Sequence, residues 1–436
     1  MKILLITYDN GSAIHYFPIG TAYITAALLK MGYDVDIWNQ DLHHHPESYL
    51  TAFLNRTKYD VVGLGFVANY YTYQKAQKIA NAINSSKQRP FFMIGGHGPS
   101  ASPEFFIKKL GADSVVVGEG EHAVLEAIYN PGIHKCELIK DLDSIGWPAY
   151  KHFPVWYYRL RQLPHSEPTD FSIPVLSTRG CIYKCNFCYR MDEGFRARAI
   201  PSVIEEIRYL KKRYRITYID FADELTTVSD KRTEELCEAM IPLRMKWMCN
   251  GRLNLVNAGI LSLMKRSGCK FINYGIEAMD DEVLKTMNKK LTVDQIRTGI
   301  EATRAAGISP GFNIIFGHIG DTKKTLEKGM EFILKYDDGA QRRTMLPVTP
   351  YPGSELFREA IKRGLLKDTE DFYAKHKNSD LMTVNFTNLS DDEFYKTLLD
   401  ANTALLANHY RMQLKNAVAQ ATDLYMNRNV SFRGFR

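Results

Sequence analysis

The ten residues RGCIYKCNFC, at positions 179–188, contain three cysteines with the spacing C-x3-C-x2-C. Three thiolates this close together can bind one soft centre, and thiolate sulfur selects zinc, copper(I) or an iron–sulfur cluster. Zinc would require a second C-x2-C pair or another fourth ligand, and the chain has no such second pair. An iron–sulfur cluster held by three cysteines leaves one iron open for a further ligand. The spacing therefore favours a cluster over zinc and over three unrelated structural cysteines.

The cysteine motif follows the first strand of a series in which short apolar runs alternate with helical patterns. Six such repeats are too few for a complete eight-stranded barrel, so they predict a partial (β/α)6 barrel over residues 173–360. Active sites of barrels lie at the carboxyl ends of the strands. The strand candidates are Ile173–Ser177, Tyr218–Phe221, Lys246–Cys249, Phe271–Gly275, Phe312–Phe316 and Arg343–Val348.

Upstream of the motif, strand and helix patterns alternate in the same way and predict an α/β, Rossmann-like domain over residues 1–141. A ligand is expected at the carboxyl ends of its strands. Between the two domains, residues 142–172 are rich in proline and aromatic residues and are interpreted as a linker, and residues 361–436 as a helical C-terminal region. The five predicted strands are Lys2–Thr7, Asp34–Trp38, Val61–Phe66, Phe91–Gly95 and Ser114–Val117.

Composition excludes several classes of protein. Hydrophobic residues make up 45% of the 436 residues, so the chain can bury a core and is not disordered. The net charge of +7 is mild and does not demand nucleic acid as a partner. No apolar run reaches the ~18 residues of a membrane span, and no signal-peptide core is present, which predicts a cytoplasmic protein. Seven cysteines favour reduced thiols or a metal site over a disulfide scaffold.

With its preceding strand and its six repeats, the cysteine motif resembles the radical S-adenosylmethionine (SAM) superfamily. The resemblance implies a [4Fe–4S] cluster held by Cys181, Cys185 and Cys188, whose open iron binds the amino and carboxylate groups of SAM. Reductive cleavage of SAM then yields methionine and a 5′-deoxyadenosyl radical. In this family the aromatic residue at the position of Phe187 contacts adenine.

Further stretches resemble the SAM site of that family. Asp223 and Glu224 match the acidic pair that holds the SAM amino group, although they could simply be acidic residues at a helix N-terminus. Arg252 matches a basic residue near the SAM carboxylate, or it could be a solvated arginine. The segment Tyr274–Glu277 resembles the family's G-I-E segment and adds Glu277 to the candidates. Residues 317–322, GHIGDT, are a variant of the family's G-x-P-G-E-T loop.

The amino-terminal half resembles the cobalamin-dependent branch, in its GGH segment at 95–97 and its VGEGE segment at 117–121. The PYPGS segment at 350–354 is also typical of that branch. The resemblance implies that cobalamin is bound by the first domain. The candidate contacts are Ser12, Asn69, Tyr70, Tyr71, Gly95, Gly96, His97, Gly118, Glu119 and Gly120.

Two short segments resemble motifs of other binding sites. Residues 41–46, DLHHHP, resemble the D-x-H-x-x-G motif that supplies an axial histidine to cobalt, but they follow the second strand and Pro46 replaces glycine. We therefore predict that no protein histidine binds cobalt and that the loop Ala68–Tyr71 covers the lower face, with ordinary aromatic packing as the alternative. Residues 96–101 form a G-x-G-x-x-A string, which is weak support for NAD binding because it does not follow the first strand.

The resemblance implies an enzyme that abstracts hydrogen from an unactivated carbon and transfers methyl from methylcobalamin, with ferredoxin or flavodoxin as external reductant. Chain length and the short C-terminal region resemble the enzymes that C-methylate a glutamine in a peptide segment of methyl-coenzyme M reductase. The alternative substrate is a small molecule or lipid, which is methylated or cyclised. A sensor without catalytic activity is the third hypothesis. The cofactors that supply the adenosyl radical and the methyl group carry out this chemistry, and the protein orients them.

Overall fold

The computed structural model describes residues 1–11, 16–191, 194–432 and 434. Its first sheet has six parallel strands in the order β2-β1-β3-β4-β5-β6. The order reverses between β1 and β3, and such a switch point opens a crevice at the carboxyl ends of the two strands. The strands are β1 (Lys2–Thr7), β2 (Asp34–Asn39), β3 (Val61–Gly65), β4 (Phe91–Gly95), β5 (Ser114–Val117) and β6 (Gly132–Lys135).

The five predicted strands of this domain are confirmed, and β6 was missed because it is a short edge strand with a polar end. Helices cover both faces of the sheet, as in other open parallel sheets. They are α1 (Ile19–Lys30), α2 (Gln40–His43), α3 (Glu47–Leu54), α4 (Tyr70–Asn84), α5 (His97–Ala101), α6 (Pro103–Leu110) and α7 (Gly120–Ala127).

The segment between the domains packs against both of them. Tyr150 and Tyr158 are buried, and both rings contact Phe17 of the first domain. The Tyr150 hydroxyl donates to Glu206 at 2.6 Å. This segment contains a 3-10 turn at Tyr150–His152 and one short α-helix, α8 (Val155–Tyr158), and its buried aromatic side chains join the core of the second sheet.

The second sheet also has six parallel strands, in the order β14-β13-β12-β11-β10-β7, and forms the predicted partial barrel. A separate antiparallel hairpin, β8 paired with β9, was not predicted. The cysteine motif begins in β8 and continues through the connection to β9. The strands are β7 (Ser172–Val175), β8 (Thr178–Cys181), β9 (Gly194–Ala197), β10 (Tyr218–Phe221), β11 (Lys246–Gly251), β12 (Cys269–Glu277), β13 (Ser309–Phe316) and β14 (Leu346–Pro347).

The last predicted strand, Arg343–Val348, is wrong in length, since only β14 pairs with the sheet. The Arg343 guanidinium is buried and donates to the carbonyl oxygen of Pro310 and to Asp337. The backbone N–H of Met345 donates to the Asn402 side chain at 2.8 Å. Side chains therefore take over hydrogen bonds that a longer strand would make to its neighbour.

Among the described residues, nine α-helices alternate with the strands of the second sheet or follow them. The C-terminal helices pack in two different places. Residues 356–373 bury apolar side chains in the core of the first domain. The start of the last helix packs beside β13. None of the helices in the described ranges is long and apolar enough to cross a membrane. They are α9 (Ile200–Tyr214), α10 (Asp230–Met240), α11 (Ala258–Arg266), α12 (Asp281–Thr286), α13 (Val293–Ala305), α14 (Lys323–Tyr336), α15 (Glu355–Lys362), α16 (Thr369–Lys375) and α17 (Asp391–Met426).

Candidate active site

A cavity of about 1170 Å³ lies where the two sheets face each other. The first domain contributes the loops after β1, β3, β4 and β5, and the second contributes residues after β7 and β10. Ser12 lies outside the described residues. Every other predicted cobalamin contact lines this cavity: Asn69, Tyr70, Tyr71, Gly95, Gly96, His97, Gly118, Glu119 and Gly120.

Glycine is required where the β4–α5 turn meets the loop after β3. Gly96 has φ +92°, and a Cβ there would lie 3.1 Å from the carbonyl oxygen of Phe66. A Cβ on Gly98 would lie 3.0 Å from the carbonyl oxygen of Val67. The two backbone segments therefore touch, and Phe66, Val67, Gly95 and Gly96 of these segments form one wall of the cavity.

His97 joins this wall to the cysteine motif. Its ring packs edge-on against Tyr189, with ring centres 4.6 Å apart, and Tyr189 follows Cys188 directly. Burial lowers the pKa of His97, so the imidazole is neutral near pH 7. This neutral ring is a contact between the first domain and the cysteine loop.

Glu119 lines the cavity, and its carboxylate is bonded to residues of the second domain. It accepts hydrogen bonds from Arg179 at 2.8 Å, Arg196 at 2.5 Å and the backbone N–H of Ile139 at 2.8 Å. Burial alone would raise the pKa of Glu119, but these donors outweigh it and lower the pKa. Arg179 also pairs with Glu121 at 2.5 Å, so the two acids hold the start of the cysteine motif against the first domain.

The histidines at 43–45 are not among the residues lining the cavity within the described ranges. Nδ1 of His44 lies 3.1 Å from an Asp9 carboxylate oxygen, and the rings of His43 and His45 stack on each other. This arrangement supports the prediction that none of them binds cobalt.

The loop after β3 presents two tyrosines to the cavity. The Tyr71 hydroxyl donates to the carbonyl oxygen of Asp9 at 3.0 Å, and burial together with nearby carboxylates raises the pKa of Tyr71 to about 12. The Tyr70 hydroxyl accepts from the Gln74 amide, and the Lys377 ammonium lies 5.0 Å from the Tyr70 ring centre. Asn69 caps helix α4 through its side-chain oxygen, so that oxygen already has a partner.

Cys181 ends β8, and Cys185 and Cys188 lie in the connection between β8 and β9. Gly180 is required at the start of the motif, because a Cβ there would lie 2.3 Å from the carbonyl oxygen of Gly194. The Cys188 thiol donates to Cys185, and this hydrogen bond, with the charges of Lys289 and Arg252, lowers the pKa of Cys185. Thiolate is the form that binds metal.

In the part of the chain that the structure describes, the three sulfurs do not converge as they would around a single metal ion. A cubane cluster does not require that convergence, since each thiolate binds a different iron. The residues fit such a cluster in number, in chemistry and in their place on one loop.

A buried ion pair beside this loop was not predicted. Nζ of Lys289 lies 2.8 Å from Oε1 of Glu277, and both side chains are nearly inaccessible to solvent. Lys289 also lies 5.8 Å from the ring centre of Phe187, the predicted adenine contact. Glu277 has φ +69°, a strained conformation for a residue with a side chain. Lys289 thus holds the carboxylate of Glu277, and a contact between Glu277 and SAM stays a prediction.

The two residues of the acidic pair after β10, Asp223 and Glu224, have different surroundings. Asp223 is fully buried, and its carboxylate accepts from Ser177 and Thr178, at 2.7 Å from the Ser177 backbone N–H. Burial raises the pKa of Asp223. Asp223 therefore fixes the turn before β8 and does not face a ligand, which corrects that prediction. Glu224 is exposed and lines the cavity.

The alternative of a solvated arginine is wrong for Arg252. It is 5% exposed, and its guanidinium donates to the carbonyl oxygens of Lys289 and Lys290. The same group lies 3.6 Å from the ring centre of Tyr183 in the cysteine loop. Arg252 is therefore a buried positioning residue next to the loop, and it is not a solvated arginine.

Comparisons with known proteins agree with this site. Residues 175–333 match the radical SAM superfamily, and residues 12–128 match the B12 binding domain. An uncharacterized methyltransferase of Pyrococcus horikoshii is 28% identical over 406 residues, covering 84% of each chain. The anaerobic magnesium-protoporphyrin IX monomethyl ester cyclase of Rubrivivax gelatinosus is 25% identical, over 82% of this chain and 70% of its own.

Among solved structures, the radical SAM methyltransferase TsrM of Kitasatospora setae, with cobalamin and a [4Fe–4S] cluster bound, has the same fold. The TM-score is 0.66 at 16% identity, over 83% of this chain and 78% of TsrM. The cofactors of this protein are a [4Fe–4S] cluster, SAM and cobalamin, and the protein is a SAM- and cobalamin-dependent methyltransferase. The chain belongs to the cobalamin-dependent radical SAM family, in its methyltransferase branch.

Proposed function

We propose that this protein transfers a methyl group to an unactivated carbon of its substrate. One observation carries the proposal: a single cavity is lined by Gly96 and Gly118 of the first domain and by Gly180 and Glu224 of the second. A substrate carbon in this cavity would be within reach of both domains. When bound, the cluster with SAM supplies the radical that removes a hydrogen atom, and cobalamin supplies the methyl group.

The protein's own residues would orient these groups. Residues 1–141 would bind cobalamin, with the glycine wall against the corrin and the two tyrosines excluding water from one face. Residues 173–360 would bind the cluster and SAM. Glu224, exposed in the cavity, would pair with the SAM amino group, and Phe187 beside Lys289 would contact adenine.

For the substrate, we propose a peptide segment that contains a glutamine, with methylation at Cα, as in methyl-coenzyme M reductase. From the C-terminal region, only Lys377, Asn378 and Ser379 line the cavity among the described residues. Helix α17 therefore does not form a lid over it, which suits a substrate that is part of a larger protein.

A small molecule or lipid is the second candidate. The similarity to a magnesium-protoporphyrin IX monomethyl ester cyclase favours it and adds ring closure as a possible reaction. The requirement for an external low-potential reductant supports a cytoplasmic location for either reaction.

The test is mass spectrometry of products from reconstituted protein, CD3-labelled SAM and an anaerobic reductant. Two substrates are offered separately: a glutamine-containing peptide of methyl-coenzyme M reductase and magnesium-protoporphyrin IX monomethyl ester. The proposal predicts one CD3 group on Cα of the glutamine. A labelled or cyclised tetrapyrrole with an unchanged peptide would favour the second candidate, and 5′-deoxyadenosine without labelled product would reject both of the substrates offered.

A further inference from the structure

The cysteine loop has an outer side that carries exposed positive charge. The two ends of the loop, Gly180 and Met191, line the cavity, and among the described residues none from 181 to 190 does. Ile182 is 49% exposed, and Lys184 and Cys188 are exposed as well. We call the surface formed by Ile182, Lys184, Lys285, Lys290 and Arg358 the loop face.

Hydrogen bonds place the members of the loop face beside one another. The Asn288 amide donates to the carbonyl oxygen of Lys184 at 2.6 Å. The Asn186 amide donates to the carbonyl oxygen of Thr286 at 2.7 Å, which fixes helix α12 and its Lys285 next to the loop.

The other two members are held by contacts of their own. The backbone N–H of Leu356 donates to the carbonyl oxygen of Asn186 at 2.8 Å, so helix α15 and its Arg358 begin at the loop. Lys290 is held there through its carbonyl oxygen, which accepts from Arg252 at 2.8 Å, and Arg252 stacks on Tyr183 of the loop.

These charges are largely unneutralised. Within the described ranges, Lys184, Lys285 and Lys290 have no acidic side chain at ion-pair distance. The Arg358 guanidinium donates only to the carbonyl oxygen of Gly353, at 3.3 Å. The acidic residues on the neighbouring helices are Glu355 and Glu359 of α15 and Asp281 and Glu282 of α12. Glu359 is paired with Arg363 at 2.8 Å, and Asp281 accepts from the backbone N–H of Val293. The four basic side chains of the loop face therefore exceed the nearby acidic side chains that, in the described part of the chain, are left without such a partner.

We infer that the loop face binds an acidic protein that carries one electron at low potential. This inference rests on the proposed function, since a radical SAM enzyme needs an external reductant. The electron must reach a cluster on Cys181, Cys185 and Cys188, and the loop face is the solvent-facing side of the loop that holds it. The carrier loses one electron, and the cluster gains it.

Charge and shape both suit such a partner. Clustered lysines around an exposed isoleucine steer an acidic protein and give it one apolar contact. Steering of this kind weakens as salt screens the charges. A small reductant such as dithionite needs no such surface. Comparing reduction by dithionite with reduction by a protein therefore tests docking separately from SAM cleavage.

The test is the triple variant K184E/K285E/K290E in cluster-loaded protein. Stopped-flow absorbance follows cluster reduction by flavodoxin hydroquinone at low and at high ionic strength. At low salt the rate should fall by about tenfold or more, within the range of electrostatic steering, and the difference should shrink at high salt. The control K58E/K87E/K415E makes the same charge change at exposed lysines elsewhere, and it should be reduced at nearly the normal rate.

The inference is overturned if the triple variant is reduced by flavodoxin as fast as the wild type, or if the control slows equally. Dithionite should drive 5′-deoxyadenosine formation equally in all three proteins. If the charge reversal lowers cluster content, the neutral variant K184Q/K285Q/K290Q is tested in its place. Cluster reduction by flavodoxin at the wild-type rate in that variant counts against the inference. Failure of the wild type to cleave SAM with dithionite would instead reject the proposed function.

Discussion

Nε2 of His318 donates a hydrogen bond to Oδ1 of Asn186 across 3.0 Å, and Asn186 lies between two cysteines of the cluster motif. His318 is fully buried. The Asn186 backbone N–H donates to the carbonyl oxygen of Met287 at 3.0 Å, and its carbonyl oxygen accepts from Leu356. The cysteine loop is therefore attached to three separate parts of the second domain through one asparagine.

Replacing His318 by leucine should loosen this loop, because Asn186 would lose a buried partner, at a cost of about 1 to 3 kcal/mol. We expect lower iron and sulfide content after reconstitution and an altered EPR spectrum of the reduced cluster, with cobalamin content unchanged. His318→Gln, which keeps a donor, should restore both readouts in part. The exposed His44→Leu serves as the control. An unchanged spectrum and iron content in His318→Leu would contradict this role.

The lower face of cobalt gives a second prediction. Tyr70→Ala or Tyr71→Ala should impair methyl transfer more than SAM cleavage, because the tyrosines line the part of the cavity formed by the first domain. We expect one of the two variants to lose about tenfold in methylated product, about 1.4 kcal/mol in the barrier. The measurement compares methylated product with 5′-deoxyadenosine, with the exposed Tyr410→Ala of helix α17 as control. Equal losses of both products would indicate damage to the fold instead.

The histidine run gives a third prediction. Replacing His43, His44 and His45 by alanine should leave cobalamin content unchanged, because none of the three lines the cavity in the described ranges. The EPR spectrum of the cob(II)alamin form tests this directly. Nitrogen superhyperfine splitting from a protein imidazole, present in the wild type and lost in the variant, would contradict it.

Acid should destabilise the protein through His376, which is 1% exposed and bonded to the Thr383 hydroxyl at 2.9 Å. Burial lowers the pKa of His376 from 6.5 to about 4. The folded state therefore prefers the neutral ring, so stability is complete above pH 6.5 and is lost as the pH falls toward 4. The loss from this residue is about 3 kcal/mol. Chemical denaturation between pH 7 and pH 4 should show a weaker pH dependence in His376→Gln, and an identical slope would contradict the prediction.

Local sequence was sufficient for much of the fold and of the cavity. Alternation of strand and helix patterns predicts both parallel sheets, and the carboxyl ends of parallel strands meet at one edge, so residues as distant as Asn69 and Gly118 come together.

The orientation and partners of single side chains were not predictable in the same way. Asp223 and Glu224 are adjacent, and successive residues of an extended segment point in opposite directions, so only one reaches the cavity. Glu119 is neutralised by Arg179, which lies 60 residues away along the chain. The ion pair between Lys289 and Glu277 likewise joins two segments, and the sequence of neither segment indicates that they are in contact.

Formation of 5′-deoxyadenosine by the anaerobically reconstituted protein tests the central claim most directly. With SAM and dithionite, the wild type should form 5′-deoxyadenosine and contain one [4Fe–4S] cluster. The variant Cys181→Ala, Cys185→Ala, Cys188→Ala should form none and lack the cluster, while it still binds cobalamin. A variant that keeps a normal cluster and forms 5′-deoxyadenosine, or a wild type that carries the full cluster and forms none, would contradict the account.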